Sequence, residues 1–197
     1  NTLALDNAAE PNGNGIRRVG GILFEYNLVP YVGVNNAGFT DGDGNLVPAD
    51  GNLIFRDIDG NLTETISDDD RRPANKSALP RYQGGFGFNA TYKGFFLSTQ
   101  FSFAKDVWRF DFDLTNLSDP QQIGAFPVTN DLLNAWDPIL RPNSNYPSLT
   151  ATNLAEGDTF SDRWVTDASY IRLKNLSFGY NVPAKFLEKT ALGSVRI

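Results

Sequence analysis

The residues of this sequence best suited to chemistry are carboxylates set in turn-rich stretches. Asp57-Ile58-Asp59-Gly60-Asn61, followed by Asp68, places side-chain oxygens at positions one, three, five and twelve of a loop, and Thr63 at position seven offers a carbonyl. These are ligand positions of an EF-hand calcium loop, in which hard oxygen donors wrap the ion. The match is incomplete: Leu62 stands where a sharp turn favours glycine, and the twelfth ligand is Asp in place of the longer Glu. The same residues also read as a solvated Asx-turn loop, because Asp and Asn bond readily to backbone N–H groups just downstream. Asp41, Asp43 and Asn45 begin the same pattern but meet Asn52 at the twelfth position. Calcium at Asp57, Asp59, Asn61 and Asp68 is therefore the one cofactor to consider, and none is required.

Other chemistry is narrowed by composition. The chain has no His, Cys or Met, which removes Cys/His zinc sites, disulfides, haem ligation and Ser-His-Asp triads. Asp68-Asp69-Asp70 supplies carboxylates, but glycoside hydrolysis needs two acids facing each other across a bond with their pKa values pushed apart. Three consecutive acids before Arg71-Arg72 read as a solvated loop, and no catalytic set emerges. A net charge of −6, with basic residues scattered or in pairs such as Arg17-Arg18, argues against nucleic acid, whose phosphates require clustered positive charge. A further set is aromatic and polar: Trp136, Tyr146, Phe160 and Trp164 with Asn134, Asp137, Arg141 and Asn145. Such residues stack on and hydrogen-bond to sugars or peptides, or they pack a loop against itself, which Pro138, Pro142 and Pro147 favour. Trp136, Asp137, Arg141, Tyr146 and Trp164 are the candidate contacts to a substrate or to a partner covering it.

The elements that must position these residues read as strands. From Tyr82 to Tyr92, Phe86, Phe88, Ala90 and Tyr92 fall on one face and Gly85, Gly87, Asn89 and Thr91 on the other, a period of two. Lys93-Gly94 supplies a tight turn, and Phe95 to Phe103 alternates again, so the pair predicts a β-hairpin. The second strand is expected to run on through Trp108, Phe110 and Phe112. A third strand spans about Asp167 to Val182, with Leu176, Phe178 and Tyr180 opposite Asn175, Ser177 and Gly179. Lys185 to Leu192 suggests a helical turn or two stopped by Gly193, ahead of a strand starting at Ser194. Ile22, Phe24, Tyr26 and Leu28 allow a fourth strand. Gly84-Gly85-Phe86-Gly87 lies inside a strand with no helix following, so it reads as small residues on the inner face of a barrel and not as a phosphate loop. Two long connections, Asn35 to Arg81 and Leu114 to Arg163, separate the strands, and connections of that length are usually functional.

Alternation alone does not say which face lies outside, since a soluble sandwich also buries one face. Each arm of the hairpin nevertheless matches the roughly 9–11 residues a tilted strand needs to cross a bilayer, and Tyr82, Tyr92, Trp108 and Tyr180 suit interfacial girdles. Short turns on one side and long loops on the other complete the pattern of an outer-membrane barrel. The fold class expected is all-β, an antiparallel transmembrane β-barrel segment with short periplasmic turns and long extracellular loops, residues 1–197 forming part of one barrel domain. The start at Asn1 and the strand-like Ser194–Ile197 suggest a piece of a longer polypeptide. The alternative is a soluble secreted β-sandwich that binds carbohydrate or serves adhesion.

Several blocks carry a resemblance: Asp68-Asp69-Asp70-Arg71, then Pro80-Arg81-Tyr82-Gln83-Gly84-Gly85-Phe86 leading into Asn89-Ala90-Thr91-Tyr92-Lys93-Gly94-Phe95. The most specific is Ser161-Asp162-Arg163-Trp164 with Asp167-Ala168-Ser169-Tyr170-Ile171-Arg172-Leu173-Lys174-Asn175-Leu176-Ser177-Phe178-Gly179-Tyr180, followed by Val182-Pro183 and Val195-Arg196-Ile197. From Arg17 to Ile197 the sequence resembles the SusC/RagA-like TonB-dependent outer-membrane transporters of Gram-negative bacteria. The resemblance implies a late portion of a large plugged barrel in the outer membrane, importing oligosaccharide or peptide. It also implies two partners besides membrane lipid and cargo: a SusD-like surface lipoprotein as lid, and the TonB complex, acting through an N-terminal plug outside these residues. Lys93-Gly94 and Pro183 to Gly193 would then face the periplasm, and the two long connections would face outward.

Overall fold

The computed structural model describes residues 10–188 and 194–197. Its strands are β1 (Glu10–Asn12), β2 (Gly15–Arg17), β3 (Glu25–Leu28), β4 (Tyr31–Val34), β5 (Phe39–Thr40), β6 (Leu46–Val47) and β7 (Leu53–Arg56). There follow β8 (Leu62–Thr63), β9 (Arg72–Ser77), β10 (Tyr82–Tyr92), β11 (Phe95–Lys105), β12 (Trp108–Phe110), β13 (Val165–Asp167) and β14 (Tyr170–Tyr180). Short helices are α1 (Phe112–Leu117), α2 (Leu154–Phe160) and α3 (Ala184–Leu187). The fold is all-β, and the described residues form several antiparallel sheets but no closed barrel. The chain divides into two compact units, one holding the residues up to Leu79 with Trp108–Asp167, the other Pro80–Val107 with Ala168–Ile197.

The second unit is the three-stranded sheet β10-β11-β14. Its hairpin forms as the alternation predicts, with Phe86 opposite Phe101, Ala90 opposite Leu97 and Tyr92 opposite Phe95 around the Lys93-Gly94 turn. Phe95, Leu97 and Thr99 then face Tyr180, Phe178 and Leu176. Past this point the sequence slips phase, because Ile171 and Leu173 are odd-numbered while Leu176, Phe178 and Tyr180 are even. The register absorbs the slip: Gln100 pairs with Asn175 and Phe101 with Leu173, skipping Lys174. This β-bulge returns Ile171 and Leu173 to the apolar face and sends Arg172 to the polar one.

Each face consequently keeps one character over most of its length, with Thr99 and Lys105 on the apolar side and Phe96 and Tyr170 on the polar side as exceptions. Aromatic rings ladder across the apolar side, with Phe86 stacked on Phe101 at 5.0 Å and Phe95 lying 6.0 Å from Phe178 and 4.8 Å from Tyr180; such cross-strand pairs contribute about 0.2–1 kcal/mol each. Gln83, Gly85, Gly87, Asn89, Ser98, Gln100, Ser102, Arg172, Asn175 and Ser177 share the other side by register. Gly84 pairs with Phe103 on the apolar side, so only Gly85 and Gly87 of the glycine run belong to the polar face. Near the hairpin turn, Phe96 lies over Gly179, where an added Cβ would come within 2.6 Å of the ring, and the Arg196 guanidinium caps the other face of that ring at 3.6 Å. Arg196 arrives because the chain after Pro183 returns antiparallel to β14, with reciprocal Tyr180–Ile197 bonds of 2.8 and 3.0 Å. In place of the strand expected from Ser194, an isolated antiparallel bridge joins Asn181 and Arg196, while the expected helix end at Leu192 and Gly193 lies outside the described residues.

Three strand expectations are corrected. The second strand does not run to Phe112: Asp106 adopts a left-handed φ of 57°, which a short polar side chain tolerates, and β11 stops at Lys105. Trp108–Phe110 pairs instead with Val165–Asp167 in the first unit, which removes Trp108 from any girdle of the three-stranded sheet. Phe112 opens α1, because Asp111 caps it by accepting the Leu114 N–H at 2.9 Å. The third strand occupies Tyr170–Tyr180 only, separate from β13. Ile22 to Phe24 is a turn, with Phe24 at φ 55°, and the strand begins at Glu25.

The two long connections fold into most of the first unit. Sheets β1-β2-β3-β9 and β4-β7-β8, with the pairs β5-β6 and β12-β13, surround a core of Val29, Val34, Leu53, Phe55 and Ile66, against which Tyr31, Trp136, Leu154 and Phe160 pack. Buried Asn153 fastens α2 to this sheet: its Oδ1 accepts the Leu53 N–H at 3.0 Å, and its Nδ2 donates to the carbonyls of Leu53 and Glu64 at 2.9 and 2.8 Å.

The bulge makes a prediction for the full-length protein. Deleting Lys174 restores strict alternation from Ile171 to Tyr180 and is expected to leave protease resistance near wild type. Deleting Ser177 throws one half of the strand onto the wrong face and is expected to abolish that resistance.

Candidate functional site

The Ser161-Asp162-Arg163-Trp164 block is a lock at the end of α2. Ser161, fully buried, donates its hydroxyl to the Gly157 carbonyl. Asp162 accepts the Tyr31 N–H at 2.9 Å and pairs with Lys76 at 3.3 Å, while backbone bonds join Val29 to Phe160 and Asp162. Arg163 pairs with Asp158 at 3.1 Å and lies over the rings of Trp164 and Tyr31, at 4.4 and 5.8 Å. The same oxygen, Asp158 Oδ1, also accepts the Trp164 indole N–H. Burial pushes the Asp158 carboxyl up, against the lowering pull of Trp164 and Arg163. It pushes the Arg163 guanidinium down, against the Asp158 charge.

Beside this lock is a cavity of about 310 Å³. Tyr31, Tyr146 and Trp164 give it aromatic walls, Arg163 lines it, and Ser118, Thr129, Asp131 and Asn145 supply polar groups. Of the five contact candidates, Tyr146 and Trp164 come together here. The other three build a neighbouring turn: Trp136 donates its indole N–H to the Pro142 carbonyl at 3.0 Å, and Arg141 Nε donates to the Ala135 carbonyl at 3.0 Å. Asp137 Oδ1 accepts the N–H groups of Leu140 and Ile139 at 2.7 and 2.9 Å, bonds that hold its carboxyl below the ordinary range. Trp136 Nε1, Arg141 Nε and the Asp137 carboxylate are thus engaged within the turn. Sequence reasoning missed Tyr31, Arg163 and Asp158. The available signal was the spacing of Asp158 from Arg163-Trp164 across a helix end, which lets one carboxylate reach both donors.

The carboxylate motifs form two matching hairpin turns. In β5-β6, Asn45 N–H and Nδ2 donate to Asp41 Oδ1 and Oδ2 at 2.8 and 3.3 Å. In β7-β8, Asn61 does the same to Asp57 at 2.7 and 3.2 Å. Gly44 and Gly60 occupy the equivalent left-handed position, at φ 85° and 91°, which glycine adopts without steric cost. The Asn45 N–H, foremost among several bonds, holds Asp41 below its usual carboxylate range. At Asp57 desolvation is the largest single influence and acts the other way, but the bonds from Asn61, Gly60 and Asp59 together outweigh it and hold the carboxyl low. Asp68 pairs with Arg71 at 2.8 Å, and it is Asp70 that reaches back to the Ile58 N–H at 3.1 Å. Among the described residues no group of three or more His, Cys, Asp or Glu side chains is placed to hold a metal ion; of the four calcium candidates, Asp57 gives both oxygens to Asn61 and Asp68 pairs with Arg71.

Two outcomes follow. Calorimetric titration of the intact protein with calcium is expected to give the same heat in wild type and in Asp59→Ala. Asp158→Asn leaves Arg163 buried without its counter-charge, a change costing about 3–5 kcal/mol, and is expected to weaken the loop unit and red-shift Trp164 fluorescence against a Trp164→Phe reference.

Comparison with known proteins places this geometry. No protein-family model matches the chain. It is 35% identical over 147 residues to TonB-dependent receptor P3 of Formosa agariphila, covering 75% of this chain and 14% of that protein. It is 28% identical over 150 residues to TonB-dependent receptor P39 of the same organism, 74% of this chain and 14% of that one. The fold matches the RagAB peptide importer in its open-open state with a TM-score of 0.76 at 22% identity, over 98% of this chain and 20% of that one. The closed-closed state gives 0.72 at 24% identity over the same shares. The chain therefore spans about one seventh of the length of these curated relatives. Together, sequence and fold identify the chain as a segment of a SusC/RagA-like TonB-dependent transporter.

Proposed function

We propose that the three-stranded sheet is a stretch of the wall of an outer-membrane barrel, and that the parent protein actively imports nutrients across that membrane. One observation carries this reading. Phe88, Leu176 and Phe178 are 52%, 59% and 69% exposed, on a face that is apolar apart from Thr99 and the terminal Lys105. Contiguous apolar surface of this extent is costly in water and marks contact with protein or lipid. Eleven residues in each of β10, β11 and β14 match a tilted crossing strand, and Tyr82, Tyr92 and Tyr180 stand at strand ends, where aromatic girdles form. The opposite face, rich in Gly, Ser, Asn and Gln, suits a wet interior.

In this orientation Lys93-Gly94 and residues 183–188 face the periplasm, and the two long connections face outward. The cavity at Tyr146 and Trp164 then contributes to the cargo-binding mouth or to its contact with a SusD-like lipoprotein lid, and TonB acts through a plug elsewhere in the polypeptide. The cargo class is oligosaccharide or peptide; the structurally similar protein is named a peptide importer, which supports peptide. Transport of this kind needs no catalytic residue from this chain. A soluble sandwich would require a second layer over the phenyl rings, and the exposure of β10 and β14 supports the wall instead.

The test is a pair of substitutions in the full-length protein. Leu176→Arg puts a charge into lipid near mid-strand, costing about 2–4 kcal/mol, and is expected to reduce the heat-modifiable folded band on gels. Asn175→Arg, one residue away on the polar face, is expected to leave it intact. Equal tolerance of both, or the reverse order, would overturn the membrane orientation.

A further inference from the structure

The cavity beside the Ser161–Trp164 lock is lined by two charged side chains whose hydrogen-bonding capacity the chain leaves unused. The first is Arg163. Its side chain is only 10% exposed, and of its three nitrogens the structure engages one, Nη1, with Asp158 Oδ1. Nε and Nη2 have no protein partner, yet neither is among the unpartnered atoms sealed from solvent; the cavity that Arg163 lines gives these donors a place to act. The second is Asp131. Elsewhere in the loop unit an aspartate accepts backbone N–H groups just downstream of it, as at Asp41, Asp57, Asp111, Asp119 and Asp137. In the short helical turn Asn130–Asn134 that part falls to Thr129, whose Oγ1 accepts the Asp131 N–H at 3.3 Å. Among the described residues no hydrogen bond or ion pair engages the Asp131 carboxylate.

These two groups set what the cavity can hold. An ionised Asp131 only accepts, and its charge has no partner, so a ligand that displaces its water must bring a donor and a positive charge or leave a bare carboxylate behind. The Arg163 charge is offset by Asp158 at 3.1 Å, and what its free N–H groups lack is an acceptor oxygen. Tyr31, Tyr146 and Trp164 add ring surfaces, which take an apolar body and attract a cation. A volume of about 310 Å³ stands at the small end of ligand pockets, room for a compact group and not for a folded partner. The surroundings favour the same sign of charge. The loop unit holds 21 of the chain's 23 acidic residues but only 9 of its 17 Lys and Arg, so it draws cations and repels anions before either reaches the cavity.

We propose that this cavity takes the amino-terminal residue of a peptide: Asp131 holds the α-ammonium, Arg163 donates to the first carbonyl, and the aromatic walls receive the first side chain. In that residue a cation and an acceptor oxygen sit on neighbouring carbons, the combination that Asp131 and Arg163 together require. A lysine side chain brings the cation without the nearby oxygen, a carboxyl terminus brings charge of the wrong sign, and a neutral sugar leaves the Asp131 charge uncompensated. The proposal rests on the reading of the parent protein as an importer with cargo at this mouth, and names the end of the cargo that is recognised.

Calorimetric titration of the full-length protein in detergent tests this, with leucylglycylglycinamide and its N-acetylated form as the two probes. The free peptide is expected to bind, and acetylation to weaken binding by about tenfold or more, the worth of one bond to a charged group. Asp131→Asn is expected to erase the difference between the two peptides while the heat-modifiable folded band stays as in wild type. Absence of binding by the free peptide, equal binding of both peptides to the wild type, or a preference that survives Asp131→Asn would sink the proposal. Should the variant fail to fold, the two peptides on the wild type decide. The wall reading is tested separately by Leu176→Arg and Asn175→Arg, so a failure here leaves it standing.

Discussion

A β-strand has two faces, and a wall between lipid and water must keep each face in a single solvent from end to end. On the proposed reading of the β10-β11-β14 sheet as such a wall, this constraint governs everything else. It excludes an uncorrected phase error, and Lys174 is the residue spent to satisfy it. With the bulge, Ile171, Leu173, Leu176, Phe178 and Tyr180 share one side, and the rings of β10 and β11 continue the surface. Without it, Arg172 would sit among the phenylalanines, where charge is most expensive. The loop unit faces no such demand, and its strands are short and paired in small sheets that bury a core of their own.

What was legible in the sequence followed from period and composition. Tyr82–Tyr92 and its partner announced themselves because alternation over eleven residues leaves no other regular structure with the same pattern. The end of β11 was hidden, since the apolar-polar alternation continues through Trp108 and Phe110 while the backbone turns aside at Asp106. The bulge was written in the sequence as a shift from odd to even positions, a sign visible only when the face of each residue is tracked along the whole strand. The loop unit was largely unread, because strands of two to four residues carry no usable period and are fixed by distant partners such as Asn153 and Asp162.

The candidate site shows the same division. Residue type singled out Tyr146 and Trp164, which line the cavity, while Asp158 and Arg163 are joined across a helix end that only their spacing hints at. The Asp-x-Asp-Gly-Asn stretches were ambiguous for a physical reason. Oxygens that can wrap a cation can equally accept the backbone N–H groups of a tight turn, and a glycine at the left-handed position serves both. Asp41 and Asp57 spend both carboxylate oxygens on their own Asn partners, and the repetition of that arrangement in two hairpins marks it as a turn device.

The Lys93-Gly94 turn also sets an order of assembly. It brings β10 and β11 together across a two-residue link, at small entropic cost, whereas the pairing of Phe95 with Tyr180 must first close the whole intervening loop unit. Until that closure, β11 shows a bare row of amides and carbonyls beside a greasy face, a combination prone to wrong pairing with other chains. The loop unit has a core of its own and the lock at Ser161–Trp164, and a connection that is already compact lowers the entropic cost of bringing β14 to β11.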